Sequence, residues 1–326
     1  MNVPPDAADR PCPRERLAHA FSQFDCADGA TPLPLDGLQI FRSSNETPRT
    51  PVVYEPSLII VGQGRKRGYL AGQEFEYNPE HYLALSVPLP LECQVVEASE
   101  EEPFLALRIL LDAPLLRELI LQVDEGFEPV PAAQTGICVS RLSDPLRDAV
   151  LRLLESQHPA YAQDRSPTAR ADARVLGPLL LREVLYRVLG GEQGDYLRAF
   201  AMANGHFHKI ARVLRAIHED ASSPFDVPAM AKMAGMGTST FHDNFKAITS
   251  LSPLQYIKTI RLHLARSLML HERANASEAS RQVGYESASQ FSREFRRLFG
   301  RPPTEEIAHF RESGTLPPGL IRPRGA

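Results

Sequence analysis

The chain predicts an α+β fold: an N-terminal β-barrel or jelly roll with accessory helices, then an all-α C-terminal region. Three observations carry that expectation. Short runs rich in β-branched and aromatic residues fall between Gly37 and Leu111, parted by Gly, Pro, Asn and Glu. From Asp112 onward, apolar residues recur at helical rather than alternating spacing. Towards the C-terminus one pattern occurs twice: a short helix, a glycine turn, and a second helix with phenylalanines along one side.

Residues 1–30 are proline-rich at first, and a short helix is expected from Arg14 to Phe24. The strand-like runs are LQIFRSS, SLIIVGQG, KRGYLAGQEFEY, HYLALSV, LECQVVEAS and PFLALRILL, with a hairpin turn at Leu70-Ala71-Gly72-Gln73-Glu74. Helical spacing then begins at Asp112, reopens at Asp144-Pro145 through about Ser156, and fills Ala169 to Leu189. In that last helix Val175, Leu176, Leu179, Leu180, Val184, Leu185 and Val188 form a wide apolar face. Two uses are open for it, packing against the strands and pairing with a second copy. Glycines 190, 191 and 194 punctuate the chain, and a helix from His208 to His218 starts the C-terminal region.

The 326 residues suit two domains at ~100–200 residues each. The expected division is a domain at 1–204, strands about 37–111 and helices about 112–190, then a second at 205–313 and a disordered Pro/Gly tail at 314–326. No apolar run reaches the ~18 residues of a membrane span, and the start lacks the apolar core of a secretion signal. Cys12, Cys26, Cys93 and Cys138 are scattered, with neither C-x-x-C nor metal spacing, which fits a reducing cytoplasm. Charge is uneven. Residues 205–326 hold 17 Lys and Arg against 11 Asp and Glu, a balance of +6, while 1–204 hold 19 against 29, a balance of −10. A basic part beside an acidic part is expected where only the former meets phosphates.

The duplicated pattern is the most informative stretch. Asp226 to Ala234 reads as a capped helix with Pro228 in its first turn, and Gly235-Met236-Gly237 as the turn. In the helix that follows, Thr238 to Thr249, Phe241, Phe245 and Ile248 face inward and Ser239, His242, Asp243 and Lys246 outward. The second copy runs from Ser277 to Gln282, turns at Val283-Gly284-Tyr285-Glu286, and continues from Ser287 to Phe299. Phe291, Phe295, Leu298 and Phe299 form its back; Ser289, Ser292, Arg293, Arg296 and Arg297 form its front. This is the helix-turn-helix layout. Ser252 to Leu270 joins the two as one helix, with Leu254, Ile257, Leu264 and Leu268 on a face. At ~1.5 Å per residue such a rod spans about 28 Å, close to the ~34 Å repeat of the major groove on one side of a duplex.

SPLQYIKTIRLHLARSLML and VGYESASQFSREFRRLFGRPP resemble the signature of AraC/XylS-type transcription regulators, and the resemblance covers the C-terminal third of the chain. EPSLIIVGQGRK, YLALSVPLP and VVEASEEEPFLALRILLD resemble the N-terminal domain of one AraC subfamily. These likenesses imply a cupin-like barrel sensing a small-molecule effector, a DNA-binding domain acting on promoter or operator duplex, RNA polymerase as a partner of an activator, and a possible homodimer. By motif position, Ser239, His242 and Asp243 face bases in the first unit, as do Ser289, Ser292 and Arg293 in the second. Arg293 suits guanine, since arginine can bond O6 and N7 together. Asp243 departs from the basic or amide residue common there; three readings are open, acceptance from cytosine N4, the orienting of a neighbouring arginine, or weak binding by the first unit. Lys246, Arg296 and Arg297 are the phosphate candidates. Tyr77, His81 and Tyr82 are the effector-pocket candidates.

The competing class is a cupin-type metalloenzyme with a DNA-binding appendage. A mononuclear iron or zinc site needs about three protein ligands, and the strand region offers His81 alone. His206 and His208 lie at the expected linker without a third ligand nearby, and Gly62-Gln63-Gly64 lacks the third glycine of a dinucleotide loop. Cys93, in an expected strand, reads as an inert core thiol. No catalytic residue, metal or cofactor is therefore expected.

Overall fold

A computed structural model of the chain describes residues 13–123, 135–158, 167–192, 194–201 and 205–313. The tail expected at 314–326 lies outside them.

Among the described residues, ten strands form two antiparallel sheets. They are β1 (Gly29–Pro32), β2 (Leu38–Ser43), β3 (Thr50–Tyr54), β4 (Ser57–Gln63), β5 (Arg65–Leu70), β6 (Gln73–Tyr77), β7 (His81–Leu85), β8 (Leu89–Glu97), β9 (Phe104–Leu110) and β10 (Ile137–Arg141). Six strands run in the order β1-β2-β9-β4-β7-β10, and four in the order β3-β8-β5-β6. The jelly-roll form of the expected barrel is thus the one adopted, as two facing sheets. The β5–β6 hairpin turns where expected, with Ala71 (φ 50°) and Gly72 (φ 86°) both left-handed, as a two-residue hairpin needs. Strands β1, β3 and β10 were not legible. β3 opens Thr50-Pro51 and survives as a sheet edge, where the missing proline N–H costs no ladder bond.

Helices α1 (Pro13–Ser22), α2 (Ala113–Val123), α3 (Asp144–Gln157), α4 (Pro167–Leu189) and α5 (Gly194–Ala201) cover the outer face of the six-stranded sheet. Gly62 permits the closest approach: a Cβ there would stand 2.1 Å from the Phe21 ring of α1. This packing accounts for the first glycine of the Gly62-Gln63-Gly64 run. The apolar face of α4 is divided. Val184, Leu185 and Val188 are buried beneath it, whereas Val175, Leu176 and Leu179 are exposed, so the expected single face splits in two.

The C-terminal helices are α6 (Gly205–Glu219), α7 (Val227–Ala234), α8 (Thr238–Thr249), α9 (Pro253–His271), α10 (Ala276–Gln282), α11 (Ala288–Phe299) and α12 (Pro303–Ser313). One apolar core runs from between the sheets into α6–α9, and a separate core packs the end of α9 with α10–α12. Among the described residues, three hydrogen bonds tie the helical region to the sandwich. Arg266 Nη2 of α9 donates to Pro51 O (3.0 Å), Tyr256 Oη of α9 to Pro88 O (2.7 Å), and Gly136 N to Ile248 O in the last turn of α8 (2.6 Å). The last satisfies a carbonyl that the helix end leaves without an intrahelical partner.

Candidate nucleic-acid interface

The first unit is built by its caps. Asp226 accepts from Ala229 N (2.6 Å) to start α7, and Gly235 (φ 62°) ends it in the left-handed conformation. Phe241, Phe245 and Ile248 of α8 are buried, with Phe241 and Phe245 ring centroids 5.5 Å apart. The opposite side of α8 bears Ser239, His242, Asp243 and Lys246, all exposed.

The second unit repeats the scheme with stronger capping. Asn275 and Glu278 form a capping box on α10, and Ser287 accepts from Gln290 N (3.3 Å) on α11. Gly284 (φ 80°) makes the turn, where a Cβ would come within 2.9 Å of Ser222 O. Phe291 and Phe295 are buried; Ser289, Ser292, Arg293, Arg296 and Arg297 are exposed. The structure therefore places all nine of these candidates on two open helix fronts, with the aromatic residues as core behind them.

Helix α9 sets the spacing. Ser252 and Gln255 close a capping box at its start, and its 19 residues run unbroken to His271. Leu254, expected on the buried stripe, is 53% exposed. The inward side is the one defined by Pro253, Tyr256 and Ile260, and at ~100° per residue Leu254 falls one step off it.

Three residues that the sequence did not single out fix the two units against each other. Arg261 of α9 donates from Nε to Ala221 O (2.8 Å), from Nη2 to Ser223 O (2.9 Å) and from Nη1 to Gly284 O (3.4 Å). One guanidinium thus ties the loop entering the first unit to the turn of the second. Lys258 of α9 pairs with Glu294 of α11 (3.1 Å), which also accepts from Tyr285 Oη (2.8 Å). Burial alone would raise the Glu294 carboxyl, but Tyr285, Gln290 and Lys258 hold it below its ordinary value. The available signal was a basic residue every turn along α9; it did not say which charges face inward.

At the far end of α9, Arg266 is fully buried. Its guanidinium lies 4.2 Å from the Phe299 ring centroid and pairs with Glu306 of α12 (3.5 Å) while donating to Pro51 O. Burial, partly offset by Glu306, brings it down to about 10. Nearby, His218 Nε2 sits 2.8 Å from Tyr256 Oη. Tyr256 has its one hydrogen committed to Pro88 O, so the imidazole N–H is the donor. Burial depresses His218 to about 4, and burial with Arg266 depresses His263 well below the ordinary imidazole value.

Between about pH 6.5 and 4 the unfolded chain binds protons that folded His218 refuses, so stability is full above that window and falls as pH descends through it. The shift corresponds to a loss on the order of 3 kcal/mol, and His263 acts in the same direction. Thermal midpoints measured down this range are expected to fall, and less steeply in His218→Gln. A flat profile for the unaltered protein would contradict the assignment.

The effector-pocket candidates are not brought together. By strand alternation Tyr77 and His81 face the space between the sheets, whereas Tyr82 faces the helices. Tyr77 is wholly buried; His81 Nδ1 lies 3.1 Å from Asn78 Oδ1. Tyr82 borders a recess of about 330 Å³ with Glu80, Ser140, Arg147, Arg187 and Glu192. Cys93 lies between the sheets, where burial pushes its thiol up. His206, at the start of α6, has Nδ1 3.0 Å from Asn244 Oδ1 of α8.

Comparison with known proteins gives the architecture a lineage. The regulator AlkR of Acinetobacter baylyi is 32% identical over 104 residues, which are 32% of this chain and 33% of that protein. The thermoregulatory protein LcrF of Yersinia pestis is 25% identical over 131 residues, 40% of this chain and 48% of its own. The chain thus spans between a third and a half of the length of these relatives. A crystal structure of ToxT from Vibrio cholerae superposes over 84% of this chain and 98% of its own with a TM-score of 0.54 at 10% identity, a likeness of fold. Residues 230–308 match a helix-turn-helix domain family. Residues 34–196, half of the chain, match the family described as the AraC-type transcriptional regulator N-terminus, and the chain belongs to the AraC-type transcriptional regulators.

Proposed function

We propose that this protein is a sequence-specific regulator of transcription, with residues 205–313 reading promoter DNA and residues 1–204 binding a small-molecule effector. One observation carries the reading: two recognition-type helices, α8 and α11, expose polar and basic fronts while Arg261, Lys258 and α9 fix their relation. In this reading Ser239, His242 and Asp243, with Ser289, Ser292 and Arg293, meet base edges. Lys246, Arg296 and Arg297 meet phosphates. The chain acts on DNA and RNA polymerase and catalyses no reaction. It works in the cytoplasm, and a second copy covers the exposed strip of Val175, Leu176 and Leu179; light scattering on the purified protein tests that pairing.

Footprinting on DNA upstream of its own gene and of neighbouring genes tests the reading as a whole. Protection at a specific site in excess random duplex is the supporting result; uniform binding at physiological salt is the contrary one. Arg293→Ala is expected to cost about 1–3 kcal/mol at that site and to relax the sequence preference at one position. Arg297→Ala should instead weaken binding to all sequences alike and reduce the salt slope by about 1. Equal effects of the two substitutions on specific and random DNA would remove Arg293 from the base-reading set.

A further inference from the structure

Among the described residues, Lys66 is a charged side chain in the interior of the sandwich that no carboxylate answers. Alternation along β5 sends Arg65, Arg67 and Tyr69 outward and Lys66, Gly68 and Leu70 inward. Lys66 is 4% exposed. Its ammonium donates to Tyr54 Oη (3.1 Å) and lies 4.4 Å from the ring centroid of Phe41 and 5.7 Å from that of Phe104 on the facing sheet. The outward arginines of the same strand find acids, Arg65 pairing with Glu97 and Arg67 with Glu76. A second polar group close by is also unanswered. Tyr77 stands beside Lys66 in the β5–β6 register, is wholly buried, and its hydroxyl has no hydrogen-bond partner among the described residues.

An isolated ammonium taken out of water is costly unless an anion or several acceptors meet it. Burial works to lower Lys66, but Tyr54 and Cys93 more than offset this and the group is held in its charged form. Hydroxyls and ring faces surround the charge without neutralising it. Phe41, one wall of the cage, is only half-buried.

Resting on the effector reading above, we propose that the inter-sheet interior is the effector site and that its ligand is a small carboxylate with an apolar body. The carboxylate pairs with Lys66 Nζ and accepts from Tyr77 Oη, and the body lies among Phe41, Phe104 and Tyr54. Tyr54 belongs to β3, the strand whose Pro51 carbonyl receives Arg266, so drawing Lys66 from Tyr54 acts on the strand that holds α9. A residue kept charged for a ligand at the expense of the empty protein is a familiar form of stability–function trade-off.

The test uses the full chain and matched probes: benzoate against benzamide and benzylammonium, and octanoate against octanol, read by thermal shift and calorimetry. Stabilisation by at least one carboxylate and not by its neutral or cationic analogue is expected. Lys66→Met should abolish that response, a loss of roughly tenfold or more in affinity, while leaving the empty protein's thermal midpoint unchanged or higher. Lys66→Arg should keep the preference for the acid, and Tyr77→Phe should weaken it. Three results would overturn the proposal: no carboxylate response, equal response to the neutral analogues, or a Lys66→Met protein that is less stable yet still binds the acid. Footprinting without any probe is run in parallel, so absence of any carboxylate response in the unaltered protein with DNA recognition intact rejects this site and leaves the regulator reading standing.

Discussion

Arg266→Ala is expected to destabilise the protein by about 3–5 kcal/mol, the range found when one partner of a buried ion pair is removed. The residue is fully buried among Glu306, Pro51 O, His263 and the Phe299 and Phe310 rings. Its loss leaves Glu306, 3% exposed, without its closest cation, and leaves the Pro51 carbonyl without its side-chain donor. Because Pro51 lies in the sandwich and Glu306 in the last helix, the effect should appear in two places. Chemical denaturation should show a lowered midpoint, and limited proteolysis should cut faster between the sandwich and α9. In Arg266→Ala/Glu306→Gln the second change removes the stranded carboxylate, so part of the loss should return. If the double variant is no more stable than the single one, the ion pair is not what the guanidinium contributes.

Phe295→Ala should be of similar size, about 3–5 kcal/mol, by deleting a large buried ring and leaving a cavity. Phe295 is completely buried, with ring centroids 5.5 Å from Phe291 and 4.5 Å from Phe299. Phe299 in turn lies against Arg266. The second unit has its own small core, separate from the one that α8 shares with the sandwich, so the damage should stay local. Footprints of this variant are expected to lose the half contacted by α11 and keep the half contacted by α8. Phe245→Ala makes the converse case, and there the damage should spread, since Phe245 belongs to the core continuous with the sheets. If Phe295→Ala erased both halves of the footprint alike, the independence of the two cores would be wrong.

The helix-turn-helix pairs were legible because each rests on local chemistry. Asn275 with Glu278, Ser287 before α11, and glycines 235 and 284 at positive φ are signals contained within a few residues. Phenylalanines at helical spacing then fix which side faces in. The β5–β6 hairpin was legible for the same reason. β10 was not. It lies well beyond β9 in sequence, and only pairing with β7 makes it a strand. Nor was α12 foreseen, so the acid that answers Arg266 went unseen.

The candidate pocket shows where local reading stops. Tyr77, His81 and Tyr82 are neighbours in the chain, but a strand sends successive side chains to opposite faces, so Tyr82 parts from His81. Lys66 passed unnoticed between two arginines, although the alternation that placed it on the inward side of β5 was there to read.

The amino-acid order by itself determined the two recognition helices, their caps, their polar fronts and aromatic backs, and the helix between them. These depend on residues a few positions apart, where backbone geometry leaves few alternatives. The tertiary structure alone decided that Arg261 joins the two units, that Arg266 and Tyr256 fasten α9 to the edge of the sandwich, and that Lys66 is enclosed without a counter-ion among the described residues. Each of these joins groups far apart in the chain, and packing sets which charges lose their water and what meets them.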